Sequence, residues 1–417
     1  MKAVILVGGP HVGTRFRPLS LEVPKPLFPI AGSPMIQHII EACTKLKEIS
    51  EILLLGTYPV ATMAKFVKEM QAEYNITIRY LQEYTPLGTA GGLYHFRDQI
   101  QRGNPSAFFV FNCDVCCEFP VVEMRKFHLE TTKGEQFVIL GTEANETQAL
   151  SYGCIAENPD THEVRHYVEK PETFISNVIN AGVFLFTSKV FNLLAQVFES
   201  TMETATGTRL RHTDAMDLGT DLLRGLGGTG QLYVYKMKGF WSQVKNAGSA
   251  LYANNLYLSQ YRTLNPALLA HNTQGGPRII GDVRIHPSAQ IHPSAVLGPN
   301  VYVGMNVVIR SGARVREAII LDRAEIKDHS CILHSIIGWD CILGAWSRIE
   351  GYPSNLNPND PLAHLSTESL FNDDGRLNPS ITVIGEGVIV HPELMVLNSI
   401  VLPHKDLTAN FKNQIIL

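Results

Sequence analysis

Polar and apolar positions follow two different periods along this chain. Over about the first 250 residues, short apolar runs alternate with amphipathic segments. Lys2-Ala3-Val4-Ile5-Leu6-Val7, Glu51-Ile52-Leu53-Leu54-Leu55-Gly56 and Ala107-Phe108-Phe109-Val110-Phe111 read as buried strands. Between them, Ile36, Ile39, Ile40 and Cys43 share one face of a helix that Ser33 would cap, with Pro34 in its first turn. A second helix covers about Val60 to Tyr74. Strands alternating with helices of this length imply an α/β fold with a doubly wound, mostly parallel, Rossmann-like sheet. Ligands of such sheets lie beyond the carboxyl ends of the strands.

In about the last 140 residues the period changes to six: Ile285, Ile291, Leu297, Val303, Ile309, Val315 and Leu321 recur at that interval. Ala289, Ala295, Val301, Val307, Ala313 and Ile319 accompany them four places on. Neither a helix nor an isolated strand has this period. A parallel β-helix does, because each six-residue side of a coil turns one apolar residue inward. The pattern blurs after Leu321, returns at Ile337, Leu343 and Ile349, breaks at Ser354, and resumes near Ile381. The domains predicted are therefore residues 1–252, a linker over 253–275, and a β-helix over 276–417 with an inserted loop at about 354–380. The apolar terminus Asn413-Gln414-Ile415-Ile416-Leu417 is expected to dock.

Composition narrows the class without changing the fold. A net charge of −4 leaves no electrostatic footprint for nucleic acid or an anionic membrane. The first apolar run is too short for a signal peptide or a membrane span. Seven cysteines, an odd count, suit reduced thiols and a cytoplasmic location. Cys113, Cys116 and Cys117 lack a second Cys/His pair at zinc spacing and read as buried thiols.

Candidate chemistry begins where the first strand ends. Gly8-Gly9-Pro10-His11-Val12-Gly13-Thr14-Arg15 is a glycine-rich turn followed by an arginine, and Lys25 sits between Pro24 and Pro26. Glycines let backbone N–H groups approach an anion, and Arg and Lys neutralise phosphate. A phosphorylated ligand is implied. Farther on stand Gln82-Glu83-Tyr84-Thr85-Pro86-Leu87-Gly88-Thr89-Ala90-Gly91, then Asn112-Cys113-Asp114 at the end of a buried strand. Tyr152-Gly153, Val168-Glu169-Lys170-Pro171 and Asn180-Ala181-Gly182 follow.

Together these stretches resemble the sugar-nucleotide pyrophosphorylases, a nucleotidyltransferase domain followed by a left-handed β-helix. Within that family the chain is most similar to the GDP-mannose pyrophosphorylases, and to their alpha, regulatory subunits. The resemblance implies that Gly8, Gly9, Gly13, Thr14, Arg15 and Lys25 cradle nucleotide phosphates. It implies that Glu83, Gly88 and Thr89 meet the guanine nucleoside, Glu83 accepting from guanine's N1–H and amine. Gly153, Glu169, Lys170 and Asn180 would meet the hexose and its phosphate. Asp114 would be one of two carboxylates holding Mg²⁺.

Two departures from the family pattern weigh against turnover. Active members carry Trp-x-Asp where this chain has Trp241-Ser242-Gln243, so the second metal carboxylate is replaced by Gln243, with Lys245 close by. A neutral amide is a poor ligand for a hard cation. The glycine turn also holds three residues, Pro10, His11 and Val12, where the family has one. Displacing reacting groups by about 1 Å can cost on the order of 10² in rate. Arg15, Lys25 and Asp114 are then vestiges of catalysis, and any metal at Asp114 is weak or lost. The expected role is regulatory, without a required cofactor: binding GDP-mannose, and relaying feedback inhibition to a catalytic beta guanylyltransferase subunit through the β-helix, which also self-associates. The alternatives are a working mannose-1-phosphate guanylyltransferase using Mg²⁺, and an assembly scaffold without a ligand. His11 reads as a surface residue, and His286, His292 and His391 as corner residues of the repeats rather than acyl-transfer bases.

Overall fold

A computed structural model describes residues 1–10, 14–206, 215–352, 377–378 and 380–417, with 201–206 described by their backbone alone. His11, Val12, Gly13 and nearly all of the loop expected at 354–380 lie outside the described residues. The chain forms two compact units. The first is built on the opening strand and residues 35–241; the second joins the segment ending at Pro34 to residues from Ser242 onward.

The first unit is a nine-stranded sheet. Its parallel part runs Phe108–Asn112, Lys2–Gly8, Glu51–Gly56, Thr77–Gln82, with Val4 beside both Leu53 and Val110. These strands are almost continuously apolar because both faces are covered. Beyond Phe108–Asn112 the sheet becomes antiparallel: Val178–Phe186 pairs with it, with Phe137–Glu143, and briefly with Gly153–Glu157. Val164–Glu169 closes this side, and Leu232–Lys236 lies parallel to Phe137–Glu143. Phe108, Phe137, Phe184, Phe186 and Phe191 crowd the core. The helix Met35–Thr44 buries Ile36, Ile39, Ile40 and Cys43 as its periodicity predicts, but it starts later than expected. Ser33 and Pro34 do not cap it; they pair with Pro29–Ile30 in a short hairpin. Local β-pairing wins over a cap whose helix can begin at Met35.

The second unit is a parallel β-helix whose stacking agrees with the left-handed coil expected. Its three sides are three inward columns: Leu297, Val315, Ile332, Ile349 and Val396; Val303, Ile320, Ile337, Ile384 and Val401; Ile309, Ile326, Leu343, Val390 and Leu407. All fifteen are buried in one cluster. The blurring after Leu321 has a structural cause. Stacked residues lie 18 apart at Leu297 and Val315 but 17 apart at Val315 and Ile332. One side has lost a residue, so Ile320 rather than Leu321 stacks on Val303. Ile285 and Ile291, on the first coil, are only half-buried. His286 and His292 occupy corners and receive the N–H of Ser288 and Ser294 on Nδ1, at 3.2 Å in each case. Ile415–Ile416 docks by pairing with Ile400–Val401.

The linker expected at 253–275 is half helix. Ala247–Leu264 continues well into it and starts from a capping box between Asn246 and Ser249. Ala250, Ala253, Asn254, Tyr257 and Leu258 are buried, so this segment packs rather than tethers.

Candidate functional site

Two side-chain networks of the first unit, both where strands end at their carboxyl edge, hold Glu83, Gly88 and Thr89 in one case and Gly153, Glu169 and Asn180 in the other. The first follows Thr77–Gln82. Glu83 donates its backbone N–H to Gly56 O at 2.8 Å, and its carboxylate accepts from the Leu87 N–H. Burial raises its pKa above the ordinary 4.5, and that one hydrogen bond offsets only part of the shift. The helix Gly88–His95 begins at once, with Gly88 at φ +78°. A β-carbon at Gly92 would lie 2.2 Å from Glu83 Oε1, so glycine there makes room for the carboxylate. Met216 straps the helix start through Ala90 N–H, 2.9 Å from its carbonyl. Thr89 Oγ1 accepts from Leu218 N–H at 2.8 Å and donates to Asp217 Oδ1 at 3.3 Å. These partners lie far apart in sequence, and sequence reading missed both.

The second network is centred on Tyr167, also missed. In the ladder Glu169 faces Gly153 and Val168 faces Cys154. Tyr167 and Glu169, two apart on one strand, share a face. Tyr167 donates its hydroxyl hydrogen to Glu169 Oε2 at 2.7 Å, and Asn180 Nδ2 donates to the same hydroxyl oxygen at 3.1 Å. Asn180 Oδ1 accepts from Gly182 N–H at 2.8 Å. Each polar group is thus aimed by another. Burial first, and the Glu169 carboxylate second, push the Tyr167 phenol well above its ordinary value, so it stays protonated. Glycines at 153 and 219 wrap Glu169: a β-carbon would lie 2.8 Å or 2.6 Å from its Oε2. A tyrosine–glutamate pair two apart on one strand was the available signal.

Lys170 follows directly at φ +46°, unusual for a non-glycine residue, with its side chain exposed. Its N–H donates to Tyr152 O at 3.1 Å. Tyr152 packs edge-on to Trp241 at 5.2 Å, and Trp241 Nε1 donates to Ala181 O at 3.0 Å. Burial, with a smaller push from Asp114, raises the Tyr152 phenol to about 12. Asp114 therefore stands near this aromatic pair, half-buried in the turn after Phe108–Asn112.

At the end of the first strand Gly8 has φ +69°, and a β-carbon at Gly9 would meet Thr57 Oγ1 at 1.7 Å. Gly8 is demanded by the backbone path, and Gly9 by the close approach of the Thr57 side chain. Thr14, Arg15, Lys25, Gln243 and Lys245 belong to the second unit. Thr14 and Arg15 are exposed in the 3₁₀ turn Thr14–Phe16, and Lys25 Nζ stands 6.0 Å from the Phe16 ring centroid. Gln243 ends the strand Trp241–Gln243, half-buried. As a ligand for Mg²⁺, Gln243, a neutral amide where the resemblance expects a carboxylate, is a poor fit. Among the described residues no three His, Cys, Asp or Glu side chains converge on one point. Cys113, Cys116 and Cys117 are buried thiols, Cys117 being pushed up to about 12 by burial. No helix among the described residues is long and apolar enough to cross a membrane.

The nucleotidyl transferase family model matches residues 2–260, and the model for the GMPPB C-terminal domain matches 279–416. The chain is 56% identical to mannose-1-phosphate guanyltransferase alpha-A of Xenopus laevis, over all of both chains. It is 57% identical to mannose-1-phosphate guanylyltransferase regulatory subunit alpha-A of Danio rerio, again over all of both. The solved structure of a putative glucose-1-phosphate thymidylyltransferase from Bacillus anthracis is similar over 64% of this chain and 96% of that one, at 21% identity and a TM-score of 0.49.

Proposed function

The chain belongs to the nucleotidyl transferase family, among the mannose-1-phosphate guanylyltransferase alpha proteins, and we propose that it binds GDP-mannose without turning it over and regulates a catalytic homologue. The observation that carries this reading is an asymmetry. The groups suited to recognition are prearranged, as Tyr167, Glu169 and Asn180 are by mutual hydrogen bonds. The residue at the position of the second metal carboxylate is Gln243. Recognition needs donors and acceptors held in place; phosphoryl chemistry also needs charge neutralised at the reacting oxygens.

In this reading Glu83 accepts from guanine, Glu169 and Asn180 bond hexose hydroxyls, and Lys170 meets the sugar-linked phosphate. Arg15 and Lys25 hold the diphosphate, and Lys245 supplies positive charge in place of a metal. The name "regulatory subunit" borne by the Danio rerio relative supports a catalytic partner. A partner that responds to the ligand must in turn alter this chain's affinity for it by the same factor. The retained Arg15, Lys25 and Asp114 favour a second reading, a slow guanylyltransferase. Calorimetric titration with GDP-mannose, with Mg²⁺ and with chelator, alongside an assay of pyrophosphate release from GTP and mannose 1-phosphate, separates the two. Metal-independent binding without turnover supports the first reading. Robust Mg²⁺-dependent turnover sinks it, and no binding heat leaves only a scaffold.

A further inference from the structure

The opposite, amino-terminal edge of the first unit's sheet carries a feature that the proposed function does not use. Lys2, Glu51 and Thr77 open three adjacent parallel strands in register, and Arg79 lies two residues on from Thr77. Lys2 Nζ is buried between Glu51 Oε2 at 2.8 Å and Gln99 O at 2.7 Å. Arg79 Nε takes the other Glu51 oxygen at 2.6 Å, and its Nη1 donates to Gln99 Oε1 at 3.0 Å. Both carboxylate oxygens are therefore spent on two cations. Arg79 Nη2 remains buried with no hydrogen-bond partner. Buried donors are seldom left so, and an orphan guanidinium N–H points to a missing acceptor. Lys2, Glu51, Arg79 and the exposed Arg102 line one cavity of about 400 Å³. Arg102 makes no ion pair among the described residues. Met1, whose amino group donates to Glu48 O, lines the same cavity, so cations outnumber the single carboxylate there.

We propose that this cavity is an anion site for a phosphate group, free or as a small phosphate monoester, bound by Arg79, Arg102 and Lys2. A phosphate fits better than a carboxylate. It offers more acceptor oxygens to a guanidinium fork and a second positive centre, and its double charge suits the excess of cations over the carboxylate. The volume lies within the range of small-ligand sites. The site does not depend on the nucleotide reading, because none of its residues belongs to the networks around Glu83 or Tyr167.

The test is calorimetry on the full chain with inorganic phosphate, and separately with glucose 1-phosphate, on the parent protein, Arg102→Gln, Arg102→Glu and, as a control on an exposed lysine of the helix Val60–Tyr74, Lys65→Gln. Arg102 is exposed, so its variants fold; Arg79→Gln is the stronger perturbation where it folds. Saturable binding is expected, weakened about tenfold in Arg102→Gln, abolished in Arg102→Glu and unchanged in Lys65→Gln. Tighter binding of glucose 1-phosphate marks an ester as the natural occupant, and equal binding marks the free ion. No saturable binding by the parent, or equal binding by all Arg102 variants, overturns the proposal.

Discussion

Replacing Gly153 with alanine attacks, at its hub, the network proposed to meet the hexose. The new β-carbon would lie 2.1 Å from Tyr167 Oη and 2.7 Å from Cζ, far inside van der Waals contact. The Tyr167 ring is only 3% exposed, so its hydroxyl has nowhere to retreat without moving by about 1 Å. That shift breaks the 2.7 Å bond to Glu169 and the 3.1 Å bond from Asn180. A hydrogen bond to a charged group contributes about 1.5–3 kcal/mol net and a neutral one about 1. Glu169 Oε2 would itself lie 2.8 Å from the new carbon and must give way as well, while Asn180 loses its aim. A loss near 1.4–2.8 kcal/mol, or about 10- to 100-fold in GDP-mannose affinity, is therefore expected. Overpacking should also cost about 1–3 kcal/mol of stability, readable as a lower unfolding midpoint. The control is Gly225→Ala, where nothing lies within 4 Å of the added carbon. Calorimetry with GDP-mannose and with GDP reads the result. GDP, which lacks the hexose, should bind Gly153→Ala within about twofold of the parent. An equal loss for both ligands, or no loss for either, refutes the assignment of Tyr167, Glu169 and Asn180 to the sugar.

Four further outcomes follow from the same geometry. Glu83→Gln should weaken GDP-mannose by about 10- to 100-fold, since a charged acceptor for two guanine donors is lost. Guanine's donors favour the ionised carboxylate, so the bound form has the lower pKa; affinity is full above the raised free-state value and falls as pH drops through it, above 4.5. Titration at a series of pH values checks this, and a parent profile as flat as that of Glu83→Gln contradicts it. Ile320→Ala, fully buried in the β-helix core, should cost about 2–5 kcal/mol in denaturant unfolding, whereas Ile291→Ala on the half-buried first coil should cost less. Deleting residues 355–379 should leave GDP-mannose binding intact while altering the catalytic homologue's response; an unchanged response removes the loop's role.

Much of the fold was legible because it rests on short-range repetition. The six-residue period gave the β-helix, and apolar runs gave the central strands. What escaped depends on single residues or distant pairs. The shortened side ending at Ile320 shifts the register by one without changing the apolar character of Ile319, Ile320 or Leu321, all buried. The helix Ala247–Leu264 was hidden by its polar, weakly amphipathic composition, although Asn246 and Ser249 form a readable capping box. At the candidate site the motifs were visible, but their organisation was not. Tyr167 carries no motif, and Thr89 finds Asp217 and Leu218 only through the strap at Met216. The glycines at 92 and 219 acquire meaning only once Glu83 and Glu169 are seen against them.

The regulatory claim is tested most directly by the turnover of a catalytic homologue, measured as pyrophosphate release over rising GDP-mannose with and without this chain. The expected result is inhibition that sets in at lower GDP-mannose when the chain is present and is lost with Glu83→Gln. Identical inhibition curves with and without the chain, or pyrophosphate release by the chain alone, would contradict it.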